Sequence, residues 1–187
     1  MSTQERLIDL GEDLIRERGY GGFSYADLAD LAGIRKASIH HHFPTKADFG
    51  LAVLQRYAER VRDALTEFGK SRIGSQALYK LIEFYRDALT DGEQLCLCVA
   101  LSGDVDTLSE ETLETLSETN AEIADWIAQT LLTGRRDRSI SVGGDPSEEA
   151  IAILAQLQGA QLIARAGRNV ALFDHAVATL RTRLNRY

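Results

Sequence analysis

The chain has 187 residues and a formal net charge of −7, which is enough length for one full core or two small ones. A hydrophobic fraction of 44% and a charged fraction of 26% exclude a disordered or fibrous chain. The longest charge-free stretch, Ala150 to Ala164, carries three glutamines and is too short to span a bilayer.

The first residues, "MSTQERLIDLGEDLIRERG", are charged throughout and lack the apolar run of a signal peptide, so a cytoplasmic location is expected. Two prolines among abundant Ala, Leu, Glu and Arg favour helix. Ser2 with Glu5 is a capping-box signal, and Leu7, Leu10, Leu14 and Ile15 keep helical spacing up to Gly19. A Gly19–Gly22 turn follows. Ser24 with Asp27 opens a second helix with Leu28, Leu31 and Ala32 on its inner side, and Gly33 closes it in a left-handed conformation. A third helix runs from about Arg35 to His42, where Phe43-Pro44 stops it. Thr45 with Asp48 starts a fourth that reaches about Gly69.

Beyond "GKSRIGS" the spacing predicts helices over Gln76–Leu89, Glu93–Val105 and Ser109–Leu132. A polar loop, "TGRRDRSISVGGD", then holds Arg135, Arg136 and Arg138, read as solvated. Asp145-Pro146 with Glu148 is a strong start signal for a helix to about Ala166. The last helix covers Ala171 to Arg186. No segment alternates with a period of two, so the fold class is all-α with about nine helices.

Three short helices in the first 43 residues, the second and third joined by "AGI", match a helix-turn-helix. On the third helix Ile39 and Phe43 are four apart and share the inward face. At about 100° per residue the opposite face carries Ala37, Ser38 and His41, flanked by Lys36 and His40. Short polar side chains there suit base edges, and cations suit phosphates. From Arg35 to Lys46 there are three basic residues and no acid, so the acidic average hides a basic patch. His40, His41 and His42 point about 100° apart and cannot jointly chelate one ion, which needs i and i+3 or i+4 spacing. No metal or other cofactor is expected. Imidazoles at a phosphate-facing helix end titrate near neutrality, so operator affinity is expected to strengthen as pH falls from about 8 to about 6.

The segment "YADLADLAGIRKASIHHHFPTKADFGLAVL" resembles the fingerprint of the TetR family of bacterial transcriptional regulators. Arg35 stands where that family commonly has a serine cap, and His40 where a tyrosine usually meets the DNA backbone. The resemblance implies a DNA-binding domain at residues 1–46 and an effector-binding and dimerisation domain at 47–187. It implies that Lys36, Ala37, Ser38, His40 and His41 face DNA and that His42 and Lys46 lie near phosphates. Ser24 and Tyr25 are expected at the DNA backbone too, with simple capping as the other reading of Ser24. Arg35 is read either as a contact or as a solvated helix end.

The resemblance further implies a small-molecule pocket in the helices after Gly69, with Tyr85, Cys96, Cys98 and Trp126 as candidates beside the plainer reading of ordinary core. "CLCVALSGDVDTLS", Cys96 to Ser109, resembles the electrophile- and oxidant-sensing branch that includes the repressor of N-ethylmaleimide reductase. In that reading Cys96 is the sensor, and Cys98 lies on another face of one helix. Family likeness also implies a homodimer through the last two helices, with two recognition helices reading a palindrome. Neither a Ser-His-Asp arrangement nor a Gly-rich phosphate loop is present, so an enzyme is not expected. A DNA-binding protein whose C-terminal region only dimerises is the alternative.

Overall fold

The computed structural model describes residues 2–141 and 143–184. The helices are α1 (Thr3–Arg18), α2 (Tyr25–Ala32), α3 (Lys36–His42), α4 (Lys46–Gly69), α5 (Gly74–Asp87), α6 (Leu97–Ser102), α7 (Glu110–Arg136), α8 (Pro146–Ala166), α9 (Ala171–Ala176) and α10 (Ala178–Thr182). Contacts group them into two compact units, Met1–Glu59 with Cys96–Thr119, and Arg60–Leu95 with Asn120–Tyr187. Among the described residues the only extended pairing is one isolated bridge between Ile140 and Leu184. No helix among them is long and apolar enough to cross a membrane.

The first unit is built by local signals acting as expected. Ser2 and Glu5, and again Ser24 and Asp27, form reciprocal capping boxes, and Gly33 ends α2 at φ 66° and ψ 34°. Phe49, fully buried on α4, is the hub of the core. Its ring meets Phe43 at 5.0 Å, Tyr25 at 5.9 Å and Phe23 at 6.0 Å, all edge-on. Gly11 admits that ring to the α1 backbone; a Cβ there would lie 2.1 Å from Phe49 Cζ. The unit reaches past residue 46 because the buried side chains of α6 and the facing residues of α1 share this core.

Two expectations fail. Leu31 is 51% exposed, because Tyr25, Leu28, Ala29 and Ala32 form the buried stripe at i, i+3, i+4 and i+7, which leaves Leu31 outside it. The helix expected over Glu93–Val105 is reduced to α6. Thr90, Asp91 and Gly92 all have positive φ (44°, 57° and 89°), and the Gln94 N–H turns back to the Leu89 carbonyl. Cys96 is the extended N-cap of α6, not a residue within a longer helix. Leu97 to Leu101 are buried all round, so tertiary packing and not amphipathicity sets this helix.

In the second unit, Gly74 on α5 touches Gly134 on α7, where a Cβ on Gly74 would come within 2.4 Å of Gly134 N. Asp137 accepts from the Gly74 N–H at 2.7 Å and the Ser139 N–H at 2.8 Å, closing α7 only after Arg136. Arg135 and Arg136 are therefore exposed helix residues, with Arg138 in the loop beyond. The expected last helix is broken at Val177 (φ −95°, ψ 3°) into α9 and α10, and its predicted end at Arg186 lies outside the described residues. Arg86 with Asp174 at 2.9 Å, and Arg181 with Glu83 at 2.7 Å, join α9 and α10 to α5. Gln161, fully buried on α8, donates to the Tyr85 carbonyl at 2.5 Å.

Candidate nucleic-acid interface

Ile39 is fully buried and Phe43 is 3% exposed, and these two side chains decide how α3 is turned. Lys36, Ala37, Ser38, His40 and His41 consequently face solvent, with Arg35 exposed before them and His42 half-buried behind. A shallow concavity is lined by Arg35, Ala37, Ser38, His41 and His42 together with Ile34 and Thr3. Thr3 was missed by sequence reasoning, because only folding brings the start of α1 beside α3. The lining holds no acid. A face of small, polar and basic groups can meet base edges and phosphates without clash or repulsion.

The histidines have different surroundings. His40 Nδ1 lies 3.0 Å from the Pro44 carbonyl, which only accepts, so Nδ1 carries the proton in that bond. The His40 ring also packs edge-on to Tyr25 at 4.9 Å. His41 and His42 lie edge to face at 5.5 Å. Among the described residues, no group of three His, Cys, Asp or Glu side chains is placed to hold a metal ion.

The flanking candidates are engaged within the protein. Ser24 caps α2: its N–H and hydroxyl donate to Asp27 Oδ2 at 2.7 and 2.6 Å, which holds the Asp27 carboxyl below its ordinary range. Tyr25 is 6% exposed, and its hydroxyl sits 2.5 Å from the Thr45 carbonyl and 3.1 Å from that of Phe43. Burial, aided by Asp48, pushes its phenol pKa up, so it stays a neutral donor. The Lys46 ammonium donates to the Tyr20 and Phe23 carbonyls at 2.6 and 2.7 Å and lies over both rings, 4.6 and 4.3 Å from their centroids. Burial lowers its pKa, opposed by Asp104 and Asp27. Lys46 thus secures the segment after α3 to the α1–α2 turn.

Neither cysteine is in a disulfide, and both are buried, Cys96 at 2% and Cys98 at 1% exposure. Burial pushes Cys96 up to about 11, against smaller opposing contributions that include Arg16 and the Tyr57 hydroxyl. Burial also raises Cys98 well above its usual value, with Cys96 adding to the effect. In the second unit, Tyr85 and Trp126 belong to one chain of edge-on rings. Phe84 meets Tyr85 at 6.3 Å and Phe68 at 5.9 Å, and Phe68 meets Trp126 at 6.3 Å. Tyr85 is buried and Trp126 half-buried.

The sequence profile described as "Bacterial regulatory proteins, tetR family" matches residues 7–53, the span from α1 into α4. The Escherichia coli (strain K12) HTH-type transcriptional repressor NemR is 29% identical over 181 residues, covering 94% of this chain and 90% of that protein. A solved TetR-family regulator from Agrobacterium tumefaciens superposes with a TM-score of 0.92 at 26% identity, covering 98% of both chains. The crystal structure of the reduced form of E. coli NemR gives 0.81 at 28% identity, covering 98% of this chain and 97% of that one.

Proposed function

We propose, for a chain that belongs to the TetR family of DNA-binding transcriptional regulators, a homodimeric repressor that reads a palindromic operator through α3. The observation that carries this reading is the outward face of α3, which holds exposed Lys36, Ala37, Ser38 and His41 and no acid. Arg35 and His42 extend the contact at either end, and His40 presents its outer edge. Ser24, Tyr25 and Lys46 act on DNA through the placement of α2 and of the segment after α3. Repression as the sign of control is supported by the likeness to a protein named as a repressor.

The homodimer is supported by α8, whose Ile151, Leu162 and Ile163 are each more than half exposed. An apolar face of this kind fits a second copy of itself across a two-fold axis. Two α3 helices related by that axis read two half-sites of a palindrome.

Release from DNA is assigned to residues 47–187, α6 among them, through a small molecule near Tyr85 and Trp126 or through modification of Cys96. Likeness to a repressor solved in a reduced form supports a thiol-based version. Burial of both thiols favours the second reading, a regulator with no effector whose C-terminal region only dimerises. Thermal shifts and DNA release across a panel of electrophiles, oxidants and apolar small molecules separate the two. Stabilisation or release by one compound class supports the responsive repressor. No shift and no release supports the second reading, and wild-type binding to random duplex without preference overturns both.

A further inference from the structure

The Gly19–Gly22 turn between α1 and α2 is gripped from two sides. Asp104, two residues beyond α6, accepts from the Tyr20 N–H at 2.7 Å and the Gly21 N–H at 3.3 Å. Lys46, at the start of α4, donates to the Tyr20 and Phe23 carbonyls at 2.6 and 2.7 Å. The turn is shaped for the carboxylate: a Cβ on Gly19 would lie 2.8 Å from Asp104 Oδ2, and one on Gly21 3.3 Å from Oδ1. Gly19 is also held at φ +80°, which resists any side chain.

Each end of this grip is tied onward. Asp104 N–H bonds to the Leu101 carbonyl in α6, and the Asp104 carbonyl takes both the N–H and the hydroxyl of Thr107. The carboxylate therefore has little freedom to move apart from α6. On the other side, Tyr20 presses on Gly50 and donates its hydroxyl to the Lys46 carbonyl at 2.9 Å. Tyr25 then bonds the Phe43 and Thr45 carbonyls, where α3 ends. Hydrogen bonds thus lead from α6 through the turn to the start of α4, and the Tyr25 hydroxyl separately ties Phe43, the residue that caps α3.

We propose that Asp104 is the positioning residue through which α6 holds α3 in its DNA-binding orientation, and that any event drawing Asp104 out of the turn releases DNA. Withdrawal strands two N–H donors and removes the negative partner facing Lys46, so the turn and the α3–α4 joint lose one of two anchors. The inference rests on the reading that the outward face of α3 meets DNA.

The test uses the full-length protein, a duplex selected by the wild type from a random pool, and the variants Asp104→Asn and Gly21→Ala. Affinity is measured well below each variant's unfolding temperature, alongside hydrogen exchange at the Tyr20 and Gly21 amides. Asp104→Asn is expected to weaken the selected duplex by about tenfold, with faster exchange at both amides and an unchanged salt slope. Gly21→Ala, which presses a methyl on the carboxylate, is expected to cost about threefold in the same direction. Folded Asp104→Asn protein within about twofold of the wild type overturns the proposal. If that variant fails to fold, faster exchange in Gly21→Ala with unchanged affinity overturns it instead. A wild type that selects no sequence overturns the DNA reading and this inference with it, an outcome distinct from the other two.

Discussion

The outward face of α3 and the thiols at the start of α6 lie in one compact unit, in opposite environments. Lys36, Ala37, Ser38 and His41 are exposed and need no rearrangement to touch a partner. Cys96 and Cys98 are almost wholly buried, and the same burial suppresses the thiolate that would react. One surface is ready as folded, whereas the other acts only if the protein first opens around it. A binding face can be static, but a sensor built on a buried thiol has to draw on local opening.

The largest effect expected is on the aromatic core beneath α3. Phe49→Ala removes the ring that carries Phe23, Tyr25 and Phe43, and should cost about 3–5 kcal/mol in urea unfolding. A loss below about 1 kcal/mol would mean that α3 does not depend on this core for its orientation.

The contrast in thiol reactivity comes next. Cys96, held near 11 against an ordinary 9.0, should be alkylated at pH 8 about a hundredfold more slowly in the native protein than in urea. Because the folded thiol pKa is the higher one, its contribution to stability is fully present below about pH 9 and fades as pH rises toward 11. Native alkylation as fast as unfolded would show that the start of α6 opens freely, and would remove the contrast.

Lys46→Met keeps the apolar stem and deletes the ammonium that the Tyr20 and Phe23 carbonyls accept from. A loss of about 1–3 kcal/mol is expected in thermal or urea unfolding, with the salt slope of DNA binding unchanged. A slope reduced by about one with stability intact would place this lysine at a phosphate after all. Smallest is Lys36→Ala, expected to weaken binding about evenly across duplex sequences while lowering the salt slope by about one, with stability unchanged within about 0.5 kcal/mol.

Sequence alone made the α3 face legible because its signals are local. Capping boxes at Ser2 and Ser24, the left-handed Gly33 and the Ile39–Phe43 spacing each act within a few residues. The partners of Lys46 lie 23 and 26 residues away, and Asp104 reaches Tyr20 across 84, so neither leaves a periodic trace. Thr3 is equally silent until α1 is laid beside α3. The helix expected over Glu93–Val105 failed because its residues tolerate helix, while three successive positive φ angles at Thr90, Asp91 and Gly92 turn the chain first. Leu31 misled because an apolar residue near a buried stripe looks the same in sequence as one within it.

That α3 reads DNA is tested most directly by parallel selection of duplexes from a random pool with the wild type and with a Ser38→Ala, His41→Ala double variant. A palindrome is predicted for the wild type, and a changed or relaxed preference at the same positions of each half-site for the variant. Enrichment of one identical palindrome by both proteins, or of none by the wild type, would contradict it.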